Sequence, residues 1–447
     1  MDPLNPQWLA KKLASWQSAR HYWIALSGGL DSMVLLDLAA RCPNFHFRAV
    51  HIHHGLQPGA DAWWRHCRYQ CWLRKMPIWL IPVTIPSNHD QGIEGAARKY
   101  RYEALAARME PGDCMLTAHH ADDQAETFLL HALRGSGPRG LSAMKPWKPW
   151  ERGALARPLL PLPRSALYQY AHTQNVRYID DPSNDDPRFA RSYLRREVMP
   201  VLAARWPATN RALSRAAALC GETQHMAEAY AEHQLRSVEQ GSSRLSLPAL
   251  LALDASQRYF ILLHWLRLQG CSTPPLTRVR EFFRQIEQAR TDRQLQLKWP
   301  DAQLRTYRQT LYLLHGRNLR VLSTPAPFPC PWDPHAPLPL GDLGSLHLLR
   351  PSVSPGLRPE LQGAKLSLDW RRGGEVMTPA GDRHERTLKS ILQQAGIVPW
   401  MREKIPLLYI DGQLGAVANL CMDTRFTQQD THATGWSLHW KHDLLLH

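Results

Sequence analysis

A glycine-rich hexapeptide between two apolar runs constrains this chain more than any other feature of its sequence. Residues 22–26 read YWIAL, and the segment that follows, residues 27–32, reads SGGLDS. An apolar run that ends in glycines and then resumes indicates a strand, a loop and a helix. Gly28 and Gly29 let the backbone approach a ligand, and the first N–H groups of the helix would point back into the loop. With two serine hydroxyls and the Asp31 carboxylate, a group that suits magnesium, the loop is predicted to cradle phosphate.

The class of this loop follows from what it lacks and from the hexapeptide as a whole. It has neither the Lys-Ser or Lys-Thr pair of Walker-type loops nor the third glycine of the dinucleotide fingerprint. On spacing alone, an ordinary strand-to-helix turn explains two glycines about equally well. In its setting, however, the hexapeptide resembles the SGGxDS loop of the PP-loop ATP pyrophosphatases, which split ATP between the α- and β-phosphates. The resemblance implies that ATP binds to Ser27, Gly28, Gly29, Leu30, Asp31 and Ser32.

Length, charge and cysteine usage bound the class of protein. A chain of 447 residues is predicted to form two or three domains. Lys and Arg number 54 against 39 Asp and Glu, a formal charge of +15 that favours a polyanionic partner, most often nucleic acid. The sequence has no signal-peptide pattern and no apolar run of membrane-spanning length, so we expect a cytoplasmic protein with no membrane partner. Its eight cysteines are scattered without a Cys-x-x-Cys pair, which indicates ordinary reduced thiols.

The first part of the chain, up to about residue 215, alternates short β-branched runs with helical patterns. This alternation is typical of a parallel sheet flanked by helices. A stretch rich in proline and tryptophan, residues 144–164, interrupts it. The predicted strands are 22–26, 48–52, 78–83 and 113–117, and the predicted helices are 33–40, 59–75, 94–109 and 166–175.

The rest of the chain changes character twice. From about residue 209 to 289 the periodicity is helical, and two strand-like runs follow at 294–299 and 311–314. Seven prolines between residues 324 and 339 predict a stiff, extended linker. The predicted fold is therefore α/β, with a parallel-sheet nucleotide-binding domain (1–215), a mainly helical central domain (216–322), a Pro-rich linker (323–340) and a small C-terminal α/β domain (341–447).

A second polar constellation lies in residues 116–127, which read LTAHHADDQAET. His119, Asp123 and Glu126 fall at i, i+4 and i+7, a spacing that places three side chains on one helical face. A solvated polar stripe opposite Phe128 would have the same spacing. The segment follows a predicted parallel strand, however, and open α/β sheets bind ligands at the ends of such strands. The setting therefore favours a functional site.

Taken together, these motifs narrow the resemblance to one family, the tRNA(Ile)-lysidine synthetases. In the first part of the chain the similar segments are SGGLDS (27–32), AVHIHHGL (49–56), EGAARKYRY (94–102), the 119–140 block, YIDDPSN (178–184) and RSYLRREVMP (191–200). In the last part they are RRGGE (371–375), TLK (387–389), IVPWMR (397–402) and PLLY (406–409). One departure is Arg191-Ser192, where the family usually carries Arg-Asn.

The resemblance implies a specific reaction. ATP and free lysine would convert the cytidine at position 34 of a CAU-anticodon isoleucine tRNA into lysidine, with release of AMP and pyrophosphate. The cytosine C2 oxygen is a poor leaving group, so an adenylyl group is first transferred to it. AMP then departs as the lysine ε-amine attacks C2. The implied cofactors are ATP, as a substrate, and Mg²⁺. The central domain would contact the tRNA, and the C-terminal domain would recognise it.

The same motif matches imply roles for single residues. The implied catalytic residues are Asp31, Asp123, Arg98 and Arg195, of which Asp31 and Asp123 would also hold the metal. Contacts to lysine or tRNA are implied for His119, Glu126 and Arg101.

Two questions stay open at this point. Lysine is protonated at neutral pH, so a base must free its amine, and the sequence does not distinguish Asp123, Glu126 and His119 in that role. For each of the arginines, a surface ion pair is the alternative explanation.

Three other functions compete with lysine ligation. A tRNA thiolation enzyme with the same ATP-binding fold would be expected to carry Cys-x-x-Cys pairs, which this chain lacks. A tRNA-binding protein with a vestigial ATPase would not need an intact Asp31, Asp123 and pair of glycines. An amidotransferase-type synthetase would need an N-terminal nucleophilic cysteine and a glutaminase domain. Lysine-dependent tRNA modification is therefore the leading hypothesis.

Overall fold

The chain forms two compact units, which are described separately. The computed structural model describes residues 4–42, 44–53, 59–84, 92–180, 190–289, 293–323, 330–333, 336–349, 357–358, 363–427 and 435–447. The first unit is Met1–Ala227 and the second is Glu228–His447. Within the described ranges, no helix is both long enough and apolar enough to cross a membrane.

The first unit alternates helices and strands. Its elements are α1 (Pro6–Ala14), β1 (Tyr22–Ala25), α2 (Leu30–Ala40), β2 (Phe47–His53), α3 (Ala60–Leu73), β3 (Ile78–Pro82), α4 (Gly92–Arg108), β4 (Cys114–Leu116), α5 (Ala121–Leu133), α6 (Pro138–Leu141), β5 (Trp147–Trp150), β6 (Gly153–Ala156), α7 (Arg164–Thr173), α8 (Ala190–Tyr193), α9 (Met199–Arg205) and α10 (Thr209–Val238). Leu194–Val198, between α8 and α9, is a π-helical turn. Helix α10 continues into the second unit.

A six-stranded sheet with the order β3-β2-β1-β4-β6-β5 forms the centre of the first unit. All neighbouring strands run parallel except β5, which pairs antiparallel with β6 at the edge. The predicted parallel sheet is confirmed. The interrupting stretch 144–164 contains the β5–β6 hairpin, and Pro149 is tolerated there because β5 is an edge strand.

The strand order creates a crevice at one edge of this sheet. From β1 the chain proceeds outward to β2 and β3, and it then returns to the other side of β1 as β4. Such a reversal of strand order leaves an opening at the carboxyl ends of the two central strands, where α/β sheets bind ligands. The SGGLDS loop follows β1, and the 117–120 segment follows β4. Both predicted motifs therefore meet at this opening.

Both faces of the sheet are covered by apolar packing. Tyr22 and Ile24 belong to a core that includes residues of α1, α2, α3 and α7, whereas Trp23 packs with Leu105 of α4 and with Met109, which follows that helix. This division follows the strand alternation, which sends successive side chains to opposite faces. Burial on both sides fixes the position of β1 and therefore of the loop that follows it.

An ion-pair cluster anchors α2, the helix that follows the loop. Asp37 is buried and accepts hydrogen bonds from Arg74 at 2.9 and 3.1 Å and from the Tyr170 hydroxyl at 2.9 Å. Arg74 follows α3 and Tyr170 lies on α7, so one carboxylate connects three helices of the same face. The cluster therefore holds α2 firmly against its neighbours.

The second unit begins with helices packed on a small antiparallel sheet. Its first elements are β7 (Arg244–Ser246), α11 (Leu247–Leu251), α12 (Ala255–Leu268), α13 (Leu276–Gln288), β8 (Gln296–Trp299), β9 (Ala302–Tyr307), β10 (Thr310–His315) and α14 (Gly316–Ser323). The sheet order is β7-β10-β9-β8. Its core joins Trp265, Phe282 and Leu313. The helical character is confirmed, and the sheet contains β7 and β9 in addition to the two predicted strands.

The last part of the second unit is rich in short strands. It comprises β11 (Cys330–Pro331), β12 (Leu338–Pro339), β13 (Ser345–Leu349), β14 (Leu366–Asp369), β15 (Val376–Met377), β16 (Arg386–Thr387), α15 (Leu388–Gln394), β17 (Leu407–Ile410), β18 (Gln413–Val417), β19 (Cys421–Met422) and β20 (Ser437–Lys441). They form sheets with the orders β11-β14-β17-β18-β19, β12-β13-β20 and β15-β16. The predicted α/β character is confirmed, with strands predominating.

The described residues of the Pro-rich stretch are part of this strand-rich region. Cys330 and Pro331 pair with β14, and Leu338 and Pro339 pair with β13. Trp332 is buried in the surrounding core. These residues therefore belong to the sheets, whereas 324–329 and 334–335 lie outside the described residues. The domain boundaries themselves stay predictions.

Candidate active site

The SGGLDS loop turns the chain sharply from β1 into α2. Gly28 has a φ of +94°, a left-handed conformation that a side chain would strain. Its N–H donates to the Ser32 hydroxyl at 3.1 Å, and that hydroxyl donates to the Gly29 carbonyl at 3.0 Å. The Ser27 and Ser32 hydroxyl oxygens lie 3.1 Å apart. The two serines thus bridge the loop from one end to the other.

Three neighbouring segments contact the SGGLDS loop and the residue before it. The Gly28 carbonyl accepts a hydrogen bond from the Ile179 N–H at 2.9 Å. A Cβ atom at Gly28 would lie 3.1 Å from the Cys67 Sγ atom, so the backbone rests directly on α3. Nδ1 of His51, on β2, lies 2.8 Å from the carbonyl of Leu26, the last residue before the loop. The loop shape is therefore fixed by contacts with α3, β2 and the segment around Ile179.

The N-terminus of α2 faces the opening with its N–H groups uncapped by a side chain. Gly29 is the N-cap residue and has no side chain to accept these hydrogen bonds. Asp31 lies in the first turn of α2, and its Oδ1 atom is buried without a hydrogen-bond partner in the described part of the chain. Uncapped N–H groups at the positive end of a helix dipole form a site for an anion such as phosphate.

The opposite wall is built from the segment between β4 and α5. Helix α5 begins at Ala121 with His120 as its N-cap, so His119 precedes the helix. The expectation that His119 shares one helical face with Asp123 and Glu126 is therefore wrong. His119 Nδ1 lies 2.8 Å from the Thr117 hydroxyl. The expected proximity to Asp123 survives, because both side chains line the same cavity.

The two neighbouring histidines have pKa values shifted in opposite directions. Burial lowers the pKa of His119 to about 3, and nearby arginines add to this effect while Asp123 opposes it. Burial also disfavours the charged form of His120, but hydrogen bonds that its ring donates to Asp122 and Asp31 outweigh this effect and raise its pKa to about 10. At neutral pH, His119 is therefore uncharged and His120 is a cation.

His120 is the centre of a cluster of carboxylates. Its Nε2 atom lies 3.5 Å from Oδ2 of Asp31 and 3.5 Å from Oδ2 of Asp123, and its Nδ1 atom lies 3.5 Å from Asp122. The ring is almost fully buried. The cation therefore connects the loop after β1 with the first turn of α5. It also lowers the pKa values of Asp122 and Asp123.

Arg195, in the π-helical turn, forms hydrogen bonds with carboxylates of α5. Its Nε and Nη2 atoms donate to the two oxygens of Glu126 at 2.7 and 3.0 Å, and Nη2 also donates to Asp123 at 3.1 Å. Arg191, one helical turn earlier, donates to the Thr127 hydroxyl at 2.6 Å. Glu126 is buried beneath Arg195, so its carboxylate holds the arginine side chain in position.

The first turn of α5 is also fixed by α7 and α10. Asp122 accepts a hydrogen bond from the Arg164 N–H at 2.6 Å and another from the Asn210 side chain. The Ser214 hydroxyl donates to the Ala121 carbonyl at 2.8 Å. Burial opposes ionisation of Asp122, yet its partners, His120 first, lower its pKa to about 2. These contacts hold α5 in place beside the opening.

A basic cluster surrounds Tyr102 on α4. The guanidinium groups of Arg98 and Arg101 lie 5.1 and 5.8 Å from the centre of its ring. Burial would raise the pKa of Tyr102, but Arg98, Arg157 and Arg101 lower it below its ordinary value. Among the residues that the structure describes, neither Arg98 nor Arg101 forms an ion pair. The cluster is therefore an electropositive flank suited to a phosphate or an RNA backbone.

These walls enclose a cavity of about 360 Å³ at the crevice. Its other lining residues include His51, His53, Trp63, Thr117 and Asp180. The cavity is lined by nine of the residues implied by the motifs, namely Ser27, Gly29, Leu30, Asp31, Ser32, Arg101, His119, Asp123 and Arg195. The three others, Gly28, Arg98 and Glu126, do not line the cavity, but each contacts a residue that does.

The donor set fits magnesium held jointly with phosphate. No cluster of three or more His, Cys, Asp or Glu ligands is found among the described residues. Magnesium, however, is usually held by one or two carboxylates together with substrate phosphates and water. The unpartnered Oδ1 atom of Asp31 meets this requirement. Asp123 differs, because one of its oxygens bonds to Arg195 and the other accepts a hydrogen bond from the His120 N–H at 3.1 Å.

Sequence reasoning missed several residues of the site. His120 stands beside His119 in the HHADD run, and the choice between them depended on the helix start, which the sequence did not reveal. Arg157 donates to the Lys145 carbonyl at 2.8 Å and contributes to the charge around Tyr102, but it matches no motif. Thr117 could have been found from its position at the end of a predicted strand.

Comparison with known proteins identifies the family of this chain. Family models match residues 5–202 as a PP-loop domain, 245–312 as a TilS substrate binding domain and 366–440 as a TilS substrate C-terminal domain. A curated tRNA(Ile)-lysidine synthase from Alkalilimnicola ehrlichii is 41% identical over 431 residues, covering 95% of each chain. The chain belongs to the tRNA(Ile)-lysidine synthase family. A family member from Yersinia pseudotuberculosis is 37% identical over 446 residues (96% of this chain and 97% of the relative), and one from Xanthomonas campestris is 38% identical over 408 residues (91% and 92%).

The three matched regions follow the order of the described structure. The PP-loop match covers the parallel-sheet unit, including the cavity and both of its walls. The substrate binding match covers most of the helices and the β7–β10 sheet that begin the second unit, and the C-terminal match covers most of the strand-rich remainder. The lysidine synthase resemblance of the motifs is therefore confirmed for nearly the whole chain.

Proposed function

We propose that this chain uses ATP to ligate free lysine to C2 of the wobble cytidine, position 34, of a CAU-anticodon isoleucine tRNA. The observation that carries the proposal is the convergence of two walls on one cavity. The uncapped N-terminus of α2, with Asp31, faces Asp123 and Arg195 of the second wall. An anion-binding helix end beside two carboxylates and an arginine suits a reaction between a nucleotide and an amine.

ATP would bind with its phosphates at the SGGLDS loop. Backbone N–H groups of the first turn of α2 and the hydroxyls of Ser27 and Ser32 would donate to the phosphate oxygens. Gly28 keeps the turn tight, and the absence of a side chain at Gly29 leaves room for a close approach. Asp31 would hold Mg²⁺. When bound, the metal offsets charge on the phosphates as pyrophosphate departs.

The cytidine would be activated at its C2 oxygen. That oxygen attacks the α-phosphorus of ATP, the bond between the α-phosphorus and the bridging oxygen breaks, and pyrophosphate leaves with the electron pair. Arg101 and the basic cluster around Tyr102 would stabilise negative charge on the transferred group. The uncharged His119, which contacts Thr117, would hydrogen-bond to the substrate without adding charge.

The lysine amine would then displace AMP from C2. After the ammonium group gives a proton to a carboxylate of this wall, its nitrogen forms the new bond to C2 as the C2–oxygen bond breaks, and the oxygen leaves with AMP. The carboxylates of Asp31 and Asp123 make this side of the cavity attractive to the ammonium form in which lysine arrives. Arg195 and His120 hold Asp123 in place from two sides, so the carboxylate is oriented before lysine binds.

The experiment is lysine transfer with defined tRNAs. Purified protein with ATP, magnesium and labelled lysine is expected to label a CAU-anticodon isoleucine tRNA but not a methionine tRNA with the same anticodon. Absence of label in the isoleucine tRNA, with folded protein, would contradict the proposal.

A matched pair of variants locates the chemistry. Asp31→Ala is expected to abolish transfer while tRNA affinity stays within a few-fold of the parent, because Asp31 acts at the ATP phosphates. Glu110→Ala removes another carboxylate of the same unit, one that is exposed and pairs with Arg20, and should leave transfer unchanged. If Asp31→Ala still transferred lysine, Asp31 would not be an active-site residue.

A further inference from the structure

Tyr102 of α4 connects the core of the sheet with the cavity. The side chain is partly buried and packs against the apolar cluster that contains Trp23, Leu105 and Leu155. Its ring contacts that of Trp150, with 5.7 Å between the centroids and an angle of 80° between the planes. The hydroxyl oxygen is buried, and the residue lines the cavity. The ring is therefore held rigidly at the wall of the cavity.

Two guanidinium groups lie against the ring of Tyr102. The Arg98 Cζ atom is 5.1 Å from the ring centre, and the Arg101 Cζ atom is 5.8 Å from it. Both distances fall within the range of about 6 Å at which the negative face of an aromatic ring attracts a cation. Arg98 precedes Tyr102 by one helical turn, a spacing that brings two side chains of a helix together. The ring is therefore the common contact of Arg101, which lines the cavity, and of Arg98, which does not.

The three arginines around Tyr102 are held without carboxylates. Arg157, the third, is buried and donates to the Lys145 carbonyl at 2.8 Å. In the part of the chain that the structure describes, none of the three forms an ion pair. Arg195, in contrast, is bound by two hydrogen bonds to Glu126. A carboxylate orients an arginine but also neutralises it and occupies its donors, whereas an aromatic face leaves the charge and the N–H groups available.

We propose that Tyr102 is a positioning residue for the adenylyl transfer, because its ring holds the guanidinium groups of Arg98 and Arg101 where they stabilise negative charge on the α-phosphate of ATP. This assignment rests on the proposed function for the identity of the reaction. Tyr102 acts through the face of its ring and through the two arginines, without itself touching the reacting atoms. Removal of the ring should therefore slow the chemical step, whereas removal of the hydroxyl should not.

The test compares Tyr102→Leu, Tyr102→Phe and the parent in lysine transfer to the isoleucine tRNA. Tyr102→Leu is expected to lower kcat by at least about tenfold, because a displacement of about 1 Å at a reacting group costs up to about a hundredfold in rate. KM for ATP should change by less than about threefold, since the lost contact stabilises the transition state and not the bound substrate. Tyr102→Phe keeps the ring and should retain kcat within about twofold.

A control and a further variant separate positioning from folding. Tyr259→Leu removes another partly buried tyrosine, on α12 and outside the PP-loop match, and should keep the kcat of the parent. Melting temperatures of all variants are measured in parallel, and the rates are normalised to folded protein. If Tyr102→Leu does not fold, Tyr102→Met, whose longer apolar side chain fills more of the space, gives the same comparison.

Removal of the arginines tests whether Tyr102 acts through them. In an Arg98→Ala/Arg101→Ala background, Tyr102→Leu should not lower the remaining kcat further, because the groups that the ring positions are absent. A ring that only fills space would lower kcat by the same factor in both backgrounds.

Three results would overturn the proposal. A kcat of Tyr102→Leu equal to that of the parent would show that the reaction does not need the ring. A loss in Tyr102→Phe as large as that in Tyr102→Leu would assign the effect to the hydroxyl. Equal factors in the two arginine backgrounds would assign it to packing.

The two proposals fail in different ways. If the parent protein does not transfer lysine to the isoleucine tRNA, the proposed function fails. If the parent transfers lysine and Tyr102→Leu does so with the same kcat, only the assignment of Tyr102 fails.

Discussion

At the scale of single residues, the site depends on two adjacent histidines with opposite charge states. His119 faces the cavity and is uncharged at neutral pH, whereas His120 is buried as a cation among carboxylates. The two residues are adjacent in sequence, and only the position of the helix start separates their roles. A substitution at each position should therefore have a different physical consequence.

We expect His120→Leu to lower the free energy of unfolding by about 3–5 kcal/mol, because it leaves buried carboxylates without their cation. His119→Leu removes an uncharged side chain and one hydrogen bond, and should lower it by about 1 kcal/mol. Urea unfolding followed by circular dichroism measures both values. Equal losses in the two variants would contradict the assigned charge states.

The two glycines of the loop allow a second comparison. Gly28→Ala introduces a side chain at a φ of +94° and 3.1 Å from Cys67, so it should lower the melting temperature and abolish ATP binding. Gly29 has a φ of −75°, and its nearest neighbour would be 3.7 Å away. Gly29→Ala should therefore keep the melting temperature of the parent and weaken ATP binding only.

Calorimetry with ATP, together with thermal unfolding, separates these outcomes. A melting temperature for Gly28→Ala equal to that of the parent would mean that the loop tolerates a Cβ atom, contrary to the geometry.

At the scale of elements, the π-helical turn and α5 form one functional unit. Arg195 bonds to Glu126 through two nitrogens across 69 residues of sequence. Arg195→Ala should destabilise the protein by about 3 kcal/mol, because Glu126 stays buried with only Arg191, 3.5 Å away, as a cationic partner. Adding Glu126→Gln should recover part of this loss, with a coupling energy of about 1–3 kcal/mol. Strictly additive losses in this double-mutant cycle would show that the pair is not coupled.

Sequence patterns predicted the central elements well and long-range contacts poorly. The strands at β1 and β2 and the loop after β1 were readable because burial on both faces gives continuous apolar runs and glycines mark the turn. The start of α5 was not readable, since histidine is not a common N-cap residue. The β5–β6 hairpin was hidden by Pro149 and its tryptophans. The contact of Arg195 with Glu126 depends on tertiary packing that no local period encodes.

Asp423 stabilises a corner of the second unit and should make it sensitive to acid. This carboxylate is fully buried and accepts hydrogen bonds from Arg425 and from the Thr378 N–H at 3.0 Å. Burial alone would raise its pKa, but these partners lower it below the ordinary value. Because the folded pKa is depressed, the stabilisation is present above about pH 4 and is lost as the pH falls further.

Comparison with Asp423→Asn measures this contribution. The parent should exceed the variant in unfolding free energy at pH 6, and the difference should shrink as the pH is lowered below about 4. A difference that is constant from pH 6 to 3 would contradict the depressed pKa.

At the scale of the whole molecule, the charge of +15 should appear in the salt dependence of tRNA binding. Each phosphate neutralised by Lys or Arg releases counterions, so the logarithm of the binding constant falls linearly with the logarithm of salt concentration. We expect a slope of about −4 or steeper, equivalent to five or more phosphate contacts. Filter binding between 50 and 300 mM salt measures it. A binding constant that does not change with salt concentration would show that the positive charge does not contribute to tRNA binding.

The two units together are proposed to serve one reaction, and the identity of the product tests that claim most directly. Isoleucine tRNA incubated with the protein, ATP, magnesium and lysine can be digested to nucleosides and analysed by mass spectrometry. The account predicts that the cytidine at position 34 gains one lysine with loss of one water, in step with AMP formation. An unmodified cytidine, or a sulfur-containing nucleoside in its place, would contradict it.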